Sequence, residues 1–318
     1  MTCKRGHLSH GLSFFALFVA VFTFVVGLGA PDAIASTPLF LPVVTYDPAG
    51  QSLSVAVADV NGDGNPDLLV ANCGPIGINT CGFGNGVIGV LLDNGDGTFQ
   101  LAVTYSSGGI AAVSVAVADV IGDGKPDLLV ANECDTGSTC ADGSVGVLLG
   151  NGDGTFQAAK TYDTKYDIDS VAVADVNGDG KLDLLVASNG NGVVGVMLGN
   201  GDGTFQPIVP YSSGGISALS VAVADVNGDG KPDLLVGNQS DTSSNCAHGS
   251  LGVLLGNGNG TFHSAVSYDP GGTGGWSVAV ADVNGDGKPR LARDELLLQH
   301  SGRTSGQWRR HLSGRDDL

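Results

Sequence analysis

The sequence predicts an all-β fold, a β-propeller of four-stranded antiparallel blades, with about four complete blades and part of a fifth in its 318 residues. Three observations predict it. The string S-V-A-V-A-D-V opens at Ser54, Ser114, Ser170, Ser220 and Ser277, a self-similarity of the kind repeat architectures show. Each copy leads into N-G-D-G-K-P-D-L-L-V or a close variant, a variable loop, V-G-V-L-L-G-N-G-D-G-T-F, and a run ending in Tyr. Glycine is abundant, at 52 residues, beside many Val, Leu and Ala, which suits short strands joined by tight turns.

In chain order, the first element is an export signal. Lys4 and Arg5 precede an apolar stretch from Leu12 to Leu28, and Ala33-Ile34-Ala35 offers a small-residue cleavage site. Residues 1–35 are therefore expected to be a signal peptide, the alternative being an uncleaved membrane anchor. No second apolar span of membrane length follows. The mature chain is expected to be secreted, extracellular or on the cell surface, where calcium is plentiful.

Residues 36–289 carry the repeats. In the first unit the strand-like runs are Ser54–Ala58, Asp67–Ala71, Val87–Leu92 and Phe99–Tyr105. Asn94-Gly95-Asp96-Gly97 is a hairpin turn between the last two, because these residues tolerate positive φ. Four short strands per unit, repeated radially, is the pattern of a propeller blade. Small residues in the first run suit the crowded strand beside a central channel. Phe40–Tyr46 repeats the spacing of Phe99–Tyr105, so the mature chain is expected to open on the last strand of a blade and to close the ring. Tyr46, Tyr105, Tyr162, Tyr211 and Tyr268 recur in register and read as blade-packing residues.

The loop after each first strand reads D-x-N-x-D-G-x-x-D. It is complete at Asp59/Asn61/Asp63/Asp67, Asp175/Asn177/Asp179/Asp183 and Asp225/Asn227/Asp229/Asp233. Calcium takes six to eight oxygens in flexible geometry. Carboxylates and amides at positions 1, 3, 5 and 9 can converge on one ion, the glycine at position 6 permits the sharp turn, and the position-7 carbonyl of Asn65, Lys181 or Lys231 adds a ligand. Ca2+ is the expected cofactor, the alternative being an Asx-rich turn without metal. The second loop keeps Asp119, Asp123, Asp127 and the Lys125 carbonyl but has Ile121 at position 3, which predicts weak binding or none. The fifth keeps Asp282, Asn284 and Asp286 but has Arg290 at position 9, a cation where calcium needs an oxygen. An EF-hand requires an acidic ligand at position 12; here that position is Val70, inside a strand.

On these strings, V-A-D-V-N-G-D-G-K-P-D-L-L-V and L-L-G-N-G-D-G-T-F, residues 37–289 resemble the FG-GAP/VCBS repeat and are similar to the blades of the integrin α-subunit head. The resemblance implies a calcium-braced propeller, often seven-bladed, used in adhesion or ligand binding. The integrin-type F-G…G-A-P strings are not matched literally, so integrin partners do not carry over.

Cysteine placement adds a second expectation. Cys73/Cys81 and Cys134/Cys140 are close pairs in equivalent places and are expected to be local disulfides in an oxidising compartment, the alternative being free buried thiols. Cys246 sits where Cys140 does, without a partner, and Cys3 lies in the signal.

After Pro289 the composition changes. Residues 290–318 hold six Arg where 36–289 hold none. Dropping one base at the Arg290 codon lets permitted codons read D-L-L-V and, at Gln307–Leu312, N-G-D-G-T-F. Residues 290–318 are therefore expected to be an out-of-frame, disordered tail, and the chain to be a propeller truncated by a frameshift.

A formal net charge of −18 leaves no basic face for nucleic acid. No G-x-S-x-G elbow, H-E-x-x-H or phosphate-binding glycine loop is present, and His248 and His263 do not recur. The expected function is a secreted calcium-binding module for an extracellular protein or glycan, without catalysis. Two alternatives stand beside it: a non-catalytic appendage of a carbohydrate-active enzyme, and a purely structural cell-surface repeat.

Overall fold

The structure, a computed structural model, describes residues 44–74, 85–134, 142–240, 249–269, 277–281 and 290–294. The expected signal peptide and Phe40 lie outside the described residues.

All regular structure among the described residues is strand. The first blade holds β1 (Ser52–Ala58), β2 (Asp67–Asn72), β3 (Asn85–Leu91) and the start of β4 (Val103–Ala118). β4 runs on into the second blade, with β5 (Asp127–Cys134), β6 (Ser144–Leu148) and β7 (Lys160–Asp163). The third blade is β8 (Ile168–Ala174), β9 (Asp183–Ser188), β10 (Val193–Met197) and β11 (Val209–Ser212). The fourth is β12 (Ile216–Ala224), β13 (Asp233–Ser240), β14 (Ser250–Leu254) and β15 (Val266–Tyr268). β16 (Ser277–Ala281) and β17 (Arg290–Asp294) begin a fifth. Every ladder is antiparallel with the strands in chain order, the meander that consecutive hairpins impose. The blades are those of a β-propeller.

The repeats keep one register. Ala58 faces Asp67, Ala118 faces Asp127, Ala174 faces Asp183 and Ala224 faces Asp233. Ala281 faces Arg290 in the same way. Residues 290–294, expected to begin a disordered tail, are therefore a strand. The reason is physical: eight residues separate Ala281 from Arg290, as they separate Ala58 from Asp67, and a ladder built on backbone groups accepts a changed side-chain sequence.

Two further expectations are corrected. The fourth strand of the first blade starts at Val103, while Phe99 makes only an isolated bridge to Asp93 that closes the Asn94–Gly97 turn. Val44–Tyr46 carries no strand, and residues 40–43, the rest of the expected closing strand, lie outside the described residues.

The core lies between blades. Leu69, Ile88 and Val90 of the first blade pack with Val115, Leu128, Val130 and Phe156 of the second. Leu129, Val145 and Val147 of the second pack with Val171, Leu184 and Phe205 of the third, and Leu185, Val194 and Val196 of the third with Val221, Leu234 and Phe262 of the fourth. D-L-L-V supplies both sides: Leu68, Leu128, Leu184 and Leu234 point opposite to the leucine that follows each, as a two-residue period requires. The second and third blades thus bury one face against their predecessor and the other against their successor.

Candidate functional site

The first strand of each blade ends at Ala, and the chain must turn back within eight residues to start the second. Within this turn positive φ is reached at glycines, which lack the Cβ that would clash, as at Gly62 (φ 77°) and Gly64 (φ 87°). The position-1 aspartate fastens this turn. Asp59 accepts the Gly62 amide at 2.7 Å and the Gly64 amide at 2.8 Å. Asp119, Asp175 and Asp225 accept the matching amides at 2.7–2.8 Å. At position 5, Asp63, Asp123, Asp179 and Asp229 accept the amides of Asn65, Lys125, Lys181 and Lys231. At position 3, Asn61, Asn177 and Asn227 accept the amide of the position-5 aspartate; Ile121 makes no such bond.

These bonds set the ionisation of the loop. The Asn65 amide, with the Asn61 side chain, lowers the Asp63 carboxyl, and the Gly230 amide leads in lowering Asp225. Burial raises Asp119, but the Gly124, Gly122 and Asp123 amides outweigh it.

The position-9 aspartates have a role that the sequence did not show. Asp67, Asp127, Asp183 and Asp233 are fully buried. Asp183 Oδ2 accepts the Val176 amide at 2.9 Å and Oδ1 the Gly199 amide at 2.8 Å. Asp67 bridges Val60 to Asp93, Asp127 bridges Val120 to Gly150, and Asp233 bridges Val226 to Gly256. Each carboxylate brackets the base of its loop to the turn after the third strand. Burial raises Asp127 and Asp183, and the charges of Asp119 and Asp123, or of Asp179 and Asp175, raise them further. In the Asp119 and Asp175 loops the buried carboxylate thus lies close enough to the two outer ones to feel their charge.

Among the described residues, no three His, Cys, Asp or Glu side chains form a group placed to hold a metal ion, because the carboxylates are turned onto loop amides. The donor set nevertheless fits calcium in kind: two outer carboxylates, an Asn amide and a main-chain carbonyl, all oxygen and held in one curled loop by the Asx bonds, with the position-9 carboxylate buried at the loop base. Lys125 and Lys231 place exposed ammonium groups 3.4 Å from Asp123 and 4.0 Å from Asp229, surface pairs of small energetic weight. Asp282, Asn284 and Asp286 lie outside the described residues, and nothing is described of the Arg290 side chain.

Two other sets of repeat residues join neighbouring blades. Tyr105, Tyr162 and Tyr211 each meet the phenylalanine of the next blade's T-F turn (Phe156, Phe205 and Phe262) edge to face, with centroids 5.5 Å apart. The register of these tyrosines therefore reflects packing. The opening serine of each unit was missed as a contact. Val115 N–H donates to Ser54 Oγ, Val171 to Ser114, Val221 to Ser170 and Val278 to Ser220, at 3.2–3.4 Å. Its recurrence before V-A-V-A was the only available signal. Cys73 and Cys134 are buried at the ends of β2 and β5, and neither is a free thiol. Cys81, Cys140, Cys246 and the variable loops around them lie outside the described residues.

The model of the FG-GAP-like repeat matches residues 79–130, 134–186, 175–236 and 241–292, more than half of the chain. That of the FG-GAP repeat matches 53–75 and 217–261. No curated protein sequence matches. Among solved structures, the periplasmic gluconolactonase of Pseudomonas aeruginosa aligns with a TM-score of 0.50 at 17% identity, over 76% of this chain and 65% of that one. A lectin of Agrocybe aegerita, described as recognising non-reducing terminal N-acetylglucosamine, aligns with a TM-score of 0.46 at 24% identity, over 74% of this chain and 59% of that one. The NanB sialidase of Streptococcus pneumoniae aligns with a TM-score of 0.42 at 11% identity, over 71% of this chain and 35% of that one. This chain thus spans less than two thirds of the length of these proteins, and the likeness to the gluconolactonase concerns the fold alone. Among the described residues, no helix is long and apolar enough to cross a membrane.

Proposed function

The chain belongs to the FG-GAP repeat family, and on that premise we propose that it is a secreted, calcium-braced β-propeller that binds an extracellular protein or glycan and performs no chemistry of its own. The carrying observation is the recurrence of one loop geometry. Asp59, Asp175 and Asp225 each curl a loop whose remaining donors are all oxygen. A carboxylate set that serves one turn is an Asx motif; three complete copies in register support a cation role, as does the repulsion of Asp183 by Asp179 and Asp175. Asp67, Asp183 and Asp233 hold each loop base in place, so the ion adds to a preformed curl. The aspartates described here serve loop and turn amides, which supports a binding role over a catalytic one.

Calcium modules outside the cell hold the ion with Kd of roughly 10⁻⁴–10⁻³ M, so at millimolar calcium each loop contributes on the order of 0.5–1.5 kcal/mol. Three loops together correspond to a shift in Tm on the order of 5–10 °C. Calorimetry in EDTA should show that drop and calcium should reverse it, whereas magnesium, which demands stricter octahedral geometry, should restore much less. An unchanged melt would remove the calcium reading. Binding is then tested on glycan arrays and surface-protein panels with the calcium-loaded chain; a folded, loaded chain that binds nothing there is a structural repeat.

A further inference from the structure

The Asp59, Asp119 and Asp175 loops touch the next blade. Gly154, in the second blade's turn, donates its amide to Val60 O in the first blade's loop at 3.1 Å, and Gly260 donates to Val176 O at the same distance. A Cβ at Gly154 would stand 3.0 Å from the Leu92 side chain and 3.5 Å from Asn61 Cβ, and one at Gly260 2.9 Å from Leu198 and 3.4 Å from Asn177 Cβ, so a leucine and the position-3 residue share each contact. The position-3 residue, a candidate ligand, is therefore also part of the joint between blades. At the joint between blades two and three that residue is Ile121. A Cβ at Gly203 would stand 3.3 Å from Ile121 Cγ2, and Ile121 packs against the core that Leu129, Val145, Ile168 and Phe205 share. Tyr162 Oη adds a bond to the Gly203 carbonyl at 2.9 Å.

We propose that the propeller has two kinds of blade joint. Those between blades one and two and between three and four are gated by the ion in the Asp59 and Asp175 loops. The joint between two and three is independent of the ion, because Ile121 replaces a ligand with apolar contact. This inference rests on the calcium reading above and adds where the ion acts. An ion drawing on Asn61 or Asn177 fixes a side chain that the next blade's turn sits on, so binding and blade docking share one free energy. Ile121 exchanges that coupling for burial, which persists without any ligand. On calcium removal, blades two and three remain docked while their neighbours loosen.

The test is hydrogen exchange by mass spectrometry on the full chain, in calcium and in EDTA, with calorimetric calcium titration alongside. The position-1 aspartates bind loop amides in all these loops, so protection without the ion starts alike. With calcium at ten times its Kd, protection of peptides 59–67 and 175–183, and of the turns 152–154 and 258–260, should rise ~10-fold. Peptides 119–127 and 201–203 should change less than about twofold. Ile121→Asn, folded in calcium, should bind one ion more and bring 119–127 and 201–203 into the calcium-responsive set. Equal calcium responses at all three joints, with heats of binding present, overturn the proposal and leave the calcium reading standing. Absence of any heat of binding overturns both. The wild-type comparison decides the matter even where Ile121→Asn does not fold.

Discussion

Asp183 accepts the Gly199 amide at 2.8 Å through Oδ1, across a sequence gap of 16 residues, while its other oxygen holds Val176. One buried carboxylate thus ties the first turn of the blade to its last. Asp183→Ala leaves both amides unpaired and should cost about 2–4 kcal/mol. Measured by urea denaturation in EDTA, the loss reports the bracket and not any ion. Asp183→Asn retains an acceptor and should recover part of it. An alanine variant as stable as the parent in EDTA would make this carboxylate a metal ligand only.

The Tyr162–Phe205 contact makes a second prediction. Phe205→Ala empties a buried site in the core between blades two and three and should cost about 3–5 kcal/mol. Tyr162→Phe keeps the edge-to-face ring and loses the bond to Gly203, so about 0.5–1.5 kcal/mol is expected. Equal losses for the two would mean that the hydroxyl, and not the ring, holds the joint.

Acid stability should depend on the outer turns. The Thr98, Thr155 and Thr204 hydroxyls, then their amides, lower Asp96, Asp153 and Asp202. A carboxyl lowered in the folded state stabilises above its unfolded value and loses that contribution as pH falls through the folded one. The fourth blade supplies the uncharged comparison: Asn259 accepts the Thr261 amide at 3.1 Å and hydroxyl at 2.6 Å. Replacing the three aspartates with Asn should leave neutral stability nearly unchanged and flatten the loss below the ordinary aspartate range. An acid limb as steep as the parent's would mean that other carboxyls carry it.

The cysteines are tested by peptide mapping without reductant. Pairs Cys73–Cys81 and Cys134–Cys140 are expected, closing loops short enough that each contributes about 2–3 kcal/mol through the unfolded chain. A Cys73–Cys134 link, or four alkylatable thiols, would reject that pairing.

Much of this fold was legible because the chain states it several times over. The S-V-A-V-A and D-L-L-V strings mark strands whose register the structure keeps even at Ala281 and Arg290, where the side-chain sequence has changed. Boundaries were harder to read at crossings. The Ser107–Ala111 crossing stays within β4, bent by Gly108 and Ala111 at positive φ, while the same motif at Ser213–Gly215 breaks the strand. The candidate loops were found by spacing alone, but spacing cannot tell a carboxylate facing an ion from one facing an amide. Asp67 and Asp183 are therefore identical on paper to ligands and in space are brackets. Ser54 and Ser114 were invisible as contacts because their partners, Val115 and Val171, lie some sixty residues on.

The serine-to-valine bonds between first strands use residues that every unit carries, as do the tyrosine–phenylalanine contacts. Each unit therefore presents the same plug on one flank and the same socket on the other. Duplication of one unit in the gene would insert a blade already fitted to both neighbours, and loss of one would bring together flanks that already match. Copy number can thus drift by recombination without remodelling these two sets of contacts.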